Sequence, residues 1–152
     1  LKEGPFPKDF NDEEFDTLIK YMQCLRKYRY ANWYEWCIQN WGTKWNAYDI
    51  KRMGSNIIKF ETAWSAPLPV IEALSKKFPK YGLCVRFADE DFGCNLGTIE
   101  YKDGKMTFDG RFKKEEYGSV RANEFALNVL YDGEIPDNME RNSAGELVNK
   151  ED

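Results

Sequence analysis

A single lysine lies between two tryptophans in residues 41–45, which read Trp-Gly-Thr-Lys-Trp. A lysine beside indole rings can stack on a ring face or pair with an acid. The segment from Gly42 to Lys44 has the composition of a phosphate loop, but it lacks the upstream glycine and follows a helix pattern rather than a strand. We therefore expect Gly42 to end a helix and Lys44 to have a structural role. The candidate binding residues are Trp41, Lys44, Trp45 and Trp64.

Three consecutive acids form a second group that can do chemistry, namely Asp89, Glu90 and Asp91. Carboxylates are ligands for hard cations, but the segment lacks the glycine and the distal glutamate of an EF-hand loop. We favour an ordinary acidic loop and keep a metal site at these residues as a minor alternative. An enzyme that depends on a nucleotide or a metal is an alternative function, and it requires these acids and Lys44 to face one cleft.

The sequence has no histidine and four cysteines, none in a Cys-x-x-Cys spacing. Histidine is the side chain that titrates near neutral pH, so acid–base catalysis would need a glutamate, lysine or cysteine with a perturbed pKa. A zinc site built from cysteine and histidine is impossible. We expect reduced thiols, no cofactor and, on balance, no enzymatic activity.

Basic and aromatic residues alternate only around residues 26–30, where the candidate nucleic-acid contacts are Arg26, Lys27 and Arg29. Such cations can neutralise phosphates and give a salt-dependent affinity. The same residues also suit the C-terminal end of a helix, where the macrodipole favours positive charge. A nucleic-acid-binding domain is therefore a further alternative, and it predicts these cations and exposed aromatic rings on one face.

Four of the five tryptophans belong to one aromatic belt in the first third of the chain. Large rings that pack a helix against a sheet stabilise a domain well, so we expect the belt to be mainly core. Exposed tryptophans would instead indicate a stacking platform for bases or an anchor surface for a partner protein. The belt consists of Tyr28, Tyr30, Trp33, Tyr34, Trp36, Trp41, Trp45 and Tyr48.

Hydrophobic spacing and caps predict the order α-α-β-β-α-β-β-β-α. An antiparallel hairpin at the start of the sheet rules out a wholly parallel arrangement, so we expect an α+β sandwich of about five mainly antiparallel strands with helices on one face. The predicted helices cover residues 12–28, 33–41, 66–78 and 120–131, and the predicted strands cover residues 45–52, 56–64, 81–87, 94–101 and 105–112.

Charge is distributed unevenly along the 152 residues. Residues 132–152 hold seven acids and two bases, which leaves 19 acids and 20 bases in the rest of the chain. We therefore predict one α+β domain with an N-terminal helical extension at residues 1–131 and an acidic, flexible tail at residues 132–152. No apolar run approaches the roughly 20 residues that a bilayer requires, and no signal-peptide pattern opens the sequence. We expect a cytoplasmic protein without a membrane segment.

Residues 33–47, with their Trp-Gly-Thr-Lys-Trp core, resemble the signature of the YubB-type ferredoxin-like domain of phage, plasmid and integrated-element proteins. Residues 60–71 and the acids at 89–91 extend the likeness, which covers roughly residues 33–112. The resemblance implies a ferredoxin-like α+β sandwich, a topology that needs no iron–sulfur cluster. It implies no catalytic residues, because the family has no established activity.

The resemblance and the missing catalytic constellation together favour one function. We expect an accessory or interaction protein of a bacterial mobile genetic element that acts by binding a macromolecule. The partner would be a protein or a nucleic acid of the bacterial host or of the element itself.

Overall fold

The computed structural model describes residues 11–150, which fold as an α+β protein. The α-helices are α1 (Asp12–Tyr28), α2 (Trp33–Trp41), α3 (Leu68–Lys77) and α4 (Val120–Leu130), and a short 3-10 helix spans Lys114–Glu116. The strands are β1 (Tyr48–Arg52), β2 (Ile58–Glu61), β3 (Gly82–Phe87), β4 (Gly97–Lys102), β5 (Lys105–Arg111), β6 (Met139–Arg141) and β7 (Leu147–Asn149). Residues 1–10 of the predicted N-terminal extension and residues 151–152 of the predicted tail lie outside the described residues.

The first two helices begin and end at residues suited to those positions. The Asn11 side chain accepts a hydrogen bond from the Glu14 backbone N–H at 2.9 Å and starts α1. Asn32 caps α2 in the same way through the backbone N–H of Glu35. Gly42 ends α2 with a φ of +75°, the left-handed conformation that glycine adopts without steric cost.

The core lies on the antiparallel meander of β3, β4 and β5. Ile99 and Tyr101 of β4 are buried against Ile71 of α3 on one face of this sheet. A second cluster joins Leu96 and Phe112, which flank β4 and β5, to the small residues of α4. Aliphatic side chains of modest size therefore fill much of the interior.

The strands form three separate hydrogen-bonded sheets rather than the single five-stranded sheet that we expected. The β1–β2 hairpin forms a sheet of its own, with a register shift between Tyr48 and Lys51. It is joined to the rest of the domain by Lys59, whose ammonium group donates to the Leu130 carbonyl and pairs with Asp132, both at 3.0 Å. These contacts of the Lys59 side chain take the place of the backbone hydrogen bonds that would join the hairpin to the other strands in the predicted single sheet.

The helices also differ from the prediction that they all pack on one face of the sheet. Side chains alternate between the two faces of a strand, so Arg86 and its cross-strand partner Thr98 lie on the face opposite Ile99. Phe125 of α4 contacts Arg86 from that side. The sheet thus has α3 on one face and part of α4 on the other.

Part of the segment predicted to be a flexible tail, residues 132–152, instead forms regular structure. Residues 139–149 form the β6–β7 hairpin, in which Met139 pairs with Asn149. Met139 and Leu147 are buried against Leu127 of α4. The segment is acidic overall, so its composition suggests an unstructured tail. Its two buried apolar residues become neighbours only when the turn of the hairpin forms.

Candidate binding site around Lys44

Two loops meet beside the C-terminal end of α2 and carry the candidate binding residues. The backbone N–H of Lys44 donates to the Ala63 carbonyl at 3.5 Å, and the Ser65 hydroxyl donates to the Gly42 carbonyl. Thr43 is buried between them and its hydroxyl donates to the Trp45 carbonyl at 2.9 Å. These hydrogen bonds hold the loop after α2 against the loop that contains Ala63 and Ser65.

The ammonium group of Lys44 lies between two indole rings. Its Nζ atom is 4.7 Å from the ring centroid of Trp45 and 5.1 Å from that of Trp64. Both distances are within the range of a cation–π interaction, which is worth about 0.5–1 kcal/mol at an exposed site. The structure thus brings together Lys44, Trp45 and Trp64 of the four candidates. Trp41 instead packs edge-on against Trp36 within α2, at 5.2 Å.

Trp64 adopts an unusual backbone conformation with a φ of +76°. A bulky residue with positive φ is a genuine outlier, and such strain persists only where its surroundings enforce it. The Thr62 hydroxyl donates to the Ser65 carbonyl at 2.8 Å and closes the turn around Trp64. The loop therefore holds the Trp64 ring in place at a cost in backbone energy.

Two more aromatic rings extend this arrangement on the side of α2. The Tyr34 ring lies edge-on to Trp64 at 5.9 Å and edge-on to Trp33 at 6.1 Å. We call the five residues Trp33, Tyr34, Lys44, Trp45 and Trp64 the Lys44 cluster.

The expectation that the aromatic belt is mainly core is wrong for Trp33 and Trp45, which belong both to the belt and to this cluster. The exposed fraction is 63% for Trp33, 58% for Trp64 and 42% for Trp45. Within α2 the buried residue is Cys37, not a tryptophan. Trp33 is exposed at the first position of α2, and Trp45 and Trp64 are exposed in loops. The rings therefore do not chiefly attach α2 to a sheet.

The candidate nucleic-acid contacts lie at the end of α1. Arg26 and Lys27 are in its last turn and Arg29 follows as the C-cap with a φ of +69°. The ammonium group of Lys27 lies 4.8 Å from the Tyr28 ring centroid, and the hydrogen bond that it donates to the Tyr28 side chain raises the pKa of Lys27. The structure thus places the three cations at one helix end. Every side chain of α1 is at least partly exposed.

The three acids of the possible metal site do not converge. Asp89 accepts hydrogen bonds from the Asp91 backbone N–H and the Asn95 side chain, both at 3.0 Å, and so organises its own loop. Within residues 11–150 the structure gathers no group of three or more acidic or cysteine side chains that could hold a metal ion. Partial burial raises the pKa of Tyr48, and the Glu61 and Glu90 carboxylates act in the same direction. The negative charge of Glu90 therefore disfavours ionisation of Tyr48 in β1.

Sequence reasoning missed a second group of side chains, on the sheet face opposite α3. Arg86, Phe108 and Gly110 line a groove there together with Phe125 and Arg121 of α4. The alternation of side chains in β3 and β5 is the sequence signal that groups the first three of them.

A family comparison matches more than half of the chain. Residues 40–128 match the sequence profile of the family described as "Ferredoxin-like domain in Api92-like protein". The chain belongs to this family. No curated protein and no solved structure matches the chain. The matched segment includes Lys44, Trp45 and Trp64 but not α1 with its three cations.

Within residues 11–150, no helix combines the length and the apolar composition needed to cross a bilayer.

Proposed function

We propose that this domain is a binding module that recognises a partner protein through the Lys44 cluster. We further propose that it is an accessory protein of the YubB type, encoded by a mobile genetic element and acting in the bacterial cytoplasm. The observation that carries the first proposal is the exposure of three tryptophans in one cluster, two of which contact Lys44. The second rests on the motif in residues 33–47.

Exposed tryptophans at one place support a contact surface. Tryptophan and tyrosine are enriched among the residues that dominate protein–protein binding, because each buries a large area when a partner covers it. The strained backbone of Trp64 adds to this argument, since backbone strain concentrates at functional sites.

The geometry of the rings favours a protein over stacked bases. A base needs an open ring face on which to stack. The Trp33–Tyr34 and Tyr34–Trp64 pairs are edge-on, with interplanar angles of 88° and 89°, so these rings do not offer a row of parallel faces to successive bases. An uneven aromatic surface of this kind suits protein side chains, and Lys44 adds a positive charge that an acidic partner residue can approach.

The enzyme alternative receives less support from the same contacts. It requires Lys44 and the acids at 89–91 to act in one cleft. The Lys44 ammonium group is stacked between two rings, and both carboxylate oxygens of Asp89 accept hydrogen bonds within its own loop.

The proposal is tested by affinity capture from nuclease-treated bacterial lysate, followed by quantitative mass spectrometry. The immobilised baits are the unmodified chain, Trp33→Ala, Trp64→Ala and the control Tyr81→Ala. Tyr81 is a fair control because it is equally exposed, at 66%, and lies outside the Lys44 cluster. We expect a protein that is retained by the unmodified chain and the control but lost from both tryptophan variants. Retention that is equal on all four baits would contradict the proposal.

A further inference from the structure

The sheet face opposite α3 carries a groove that borders on α4. Arg86 of β3, Thr98 of β4 and Gly110 of β5 lie on this face, because Arg86 pairs with Thr98 and Thr98 pairs with Gly110. Phe108 lies two residues before Gly110 and shares its side of β5. The groove has a volume of about 360 Å³, which is within the range of small-ligand sites.

The Phe108 ring lies close to Gly110 and is half exposed. A Cβ atom added to Gly110 would lie only 2.5 Å from Cε1 of Phe108. The absence of a side chain at Gly110 therefore lets the ring lie close to the strand. The ring remains half exposed. A half-exposed ring that packs close to its own strand offers an aromatic surface on which a base can stack.

Two arginines border the same groove, each held on an aromatic ring. The Arg86 guanidinium lies 5.0 Å from the Phe125 ring centroid, and the Arg121 guanidinium lies 4.8 Å from that of Phe112. The two phenylalanine rings pack together at 5.4 Å. Packing on rings restrains both guanidinium groups while leaving their N–H donors for other partners.

The charges around the groove leave room for an anion. Among residues 11–150, Arg86 forms no ion pair, and Arg121 pairs only with Glu116 at 3.2 Å. The one acid that lines the groove, Glu124, is paired with Arg141 at 2.6 Å. Glu100 remains on the face as the cross-strand partner of Phe108, where its charge opposes an incoming anion.

We propose that this groove binds a nucleotide of a single-stranded nucleic acid. The base stacks on Phe108, and Arg86 and Arg121 bind a phosphate. A ring platform beside two restrained guanidinium groups matches the planar base and the anionic phosphate of a nucleotide. The site shares no residue with the Lys44 cluster and goes beyond the proposed protein binding.

The test measures binding of a fluorescein-labelled oligothymidylate by fluorescence anisotropy at low salt. Stacking of one base is lost in Phe108→Leu, so we expect the affinity to fall roughly 5-fold or more. We expect Arg86→Gln to weaken binding and to reduce the slope of log affinity against log salt by about 0.7, the value for one phosphate contact on a single strand.

Two further variants separate this site from a loss of folding and from the cations of α1. Glu100→Gln removes an opposing charge, so we expect it to strengthen binding, a result that a misfolded variant cannot give. Arg26→Gln is the matched control and should bind like the unmodified chain.

Three results would overturn the proposal. They are no binding by the unmodified chain, unchanged binding by both Phe108→Leu and Arg86→Gln, or loss of binding in Arg26→Gln alone. Because none of these variants touches the Lys44 cluster, failure here leaves the capture experiment unaffected.

Discussion

The Lys44 cluster and the core between α3 and the β3–β5 sheet use opposite kinds of residues. The core buries Ile71, Ile99 and Tyr101, most of it aliphatic. The Lys44 cluster holds three of the five tryptophans and leaves them largely exposed. The residues with the greatest capacity to stabilise by burial thus lie where burial requires a partner. The core that stabilises the domain and the surface that we propose for partner binding are therefore different parts of the domain.

The largest effect on stability is expected when a side chain of this core is truncated. Ile99 is fully buried, so Ile99→Ala should lower the free energy of unfolding by about 2–5 kcal/mol through lost burial and a cavity. Urea denaturation followed by circular dichroism measures the change. Ile50→Ala is the matched control, because Ile50 is 65% exposed, and it should shift stability by no more than about 0.5 kcal/mol. Equal losses in the two variants would refute the assignment.

The β6–β7 hairpin provides the second test. Met139 is buried against Leu127, so Met139→Ala should destabilise the domain by about 2 kcal/mol. Thermal unfolding provides the readout. Ile135→Ala is the control, since Ile135 lies in the same segment and is exposed. If Met139→Ala were neutral, residues 132–150 would not belong to the cooperative unit.

Trp64 offers a smaller and more specific effect. Both Trp64→Ala and Trp64→Gly remove the ring, but only glycine accepts a φ of +76° without steric cost. We expect Trp64→Gly to be more stable than Trp64→Ala by up to about 1 kcal/mol, after part of the gain is offset by the greater entropy of the unfolded glycine chain. Urea denaturation of the two variants checks this. A more stable alanine variant would show that the loop carries no strain at Trp64.

The smallest expected effect concerns the ion pair between Glu124 and Arg141. The hydrogen bond from Arg141 lowers the pKa of Glu124, so the stabilisation is present above the ordinary glutamate pKa of about 4.3 and is lost as the pH falls through the depressed folded value. Both side chains are more than one third exposed, so Arg141→Gln should cost less than about 1 kcal/mol at pH 7.

The pH profile of unfolding in urea tests this pair. The difference between the unmodified chain and Arg141→Gln should narrow as the pH falls below about 4. Arg52→Gln is the control, because within residues 11–150 Arg52 donates only to the backbone carbonyls of Gly54 and Ser55 and should show no such pH dependence. A difference that stays constant with pH would rule out the pair as its source.

Local signals in the sequence were enough to predict the helices, but not how the strands are arranged in sheets. Asn11, Asn32 and Gly42 mark the ends of α1 and α2, because caps depend on the chemistry of one or two residues. The sequence also pointed to Lys44, Trp45 and Trp64 as candidates. Their meeting could not be derived, since it depends on the hydrogen bond between Lys44 and Ala63 and on the strained turn at Trp64.

Longer-range features could not be predicted from the residues. Alternating side chains predict a strand but not its neighbour, so the separation of β1–β2 from the β3–β5 sheet was missed. Aromatic composition indicates a large area that can be buried but not whether the chain itself buries it. The exposure of Trp33 and the groove beside Phe108 both depend on this distinction.

Hydroxyl-radical footprinting with residue-level mass spectrometry tests most directly whether the Lys44 cluster is an open surface. Our account predicts rapid oxidation of Trp33, Trp45 and Trp64 in the isolated protein, and strong protection of the buried ring of Tyr101. Protection of the three tryptophans equal to that of Tyr101 would contradict it.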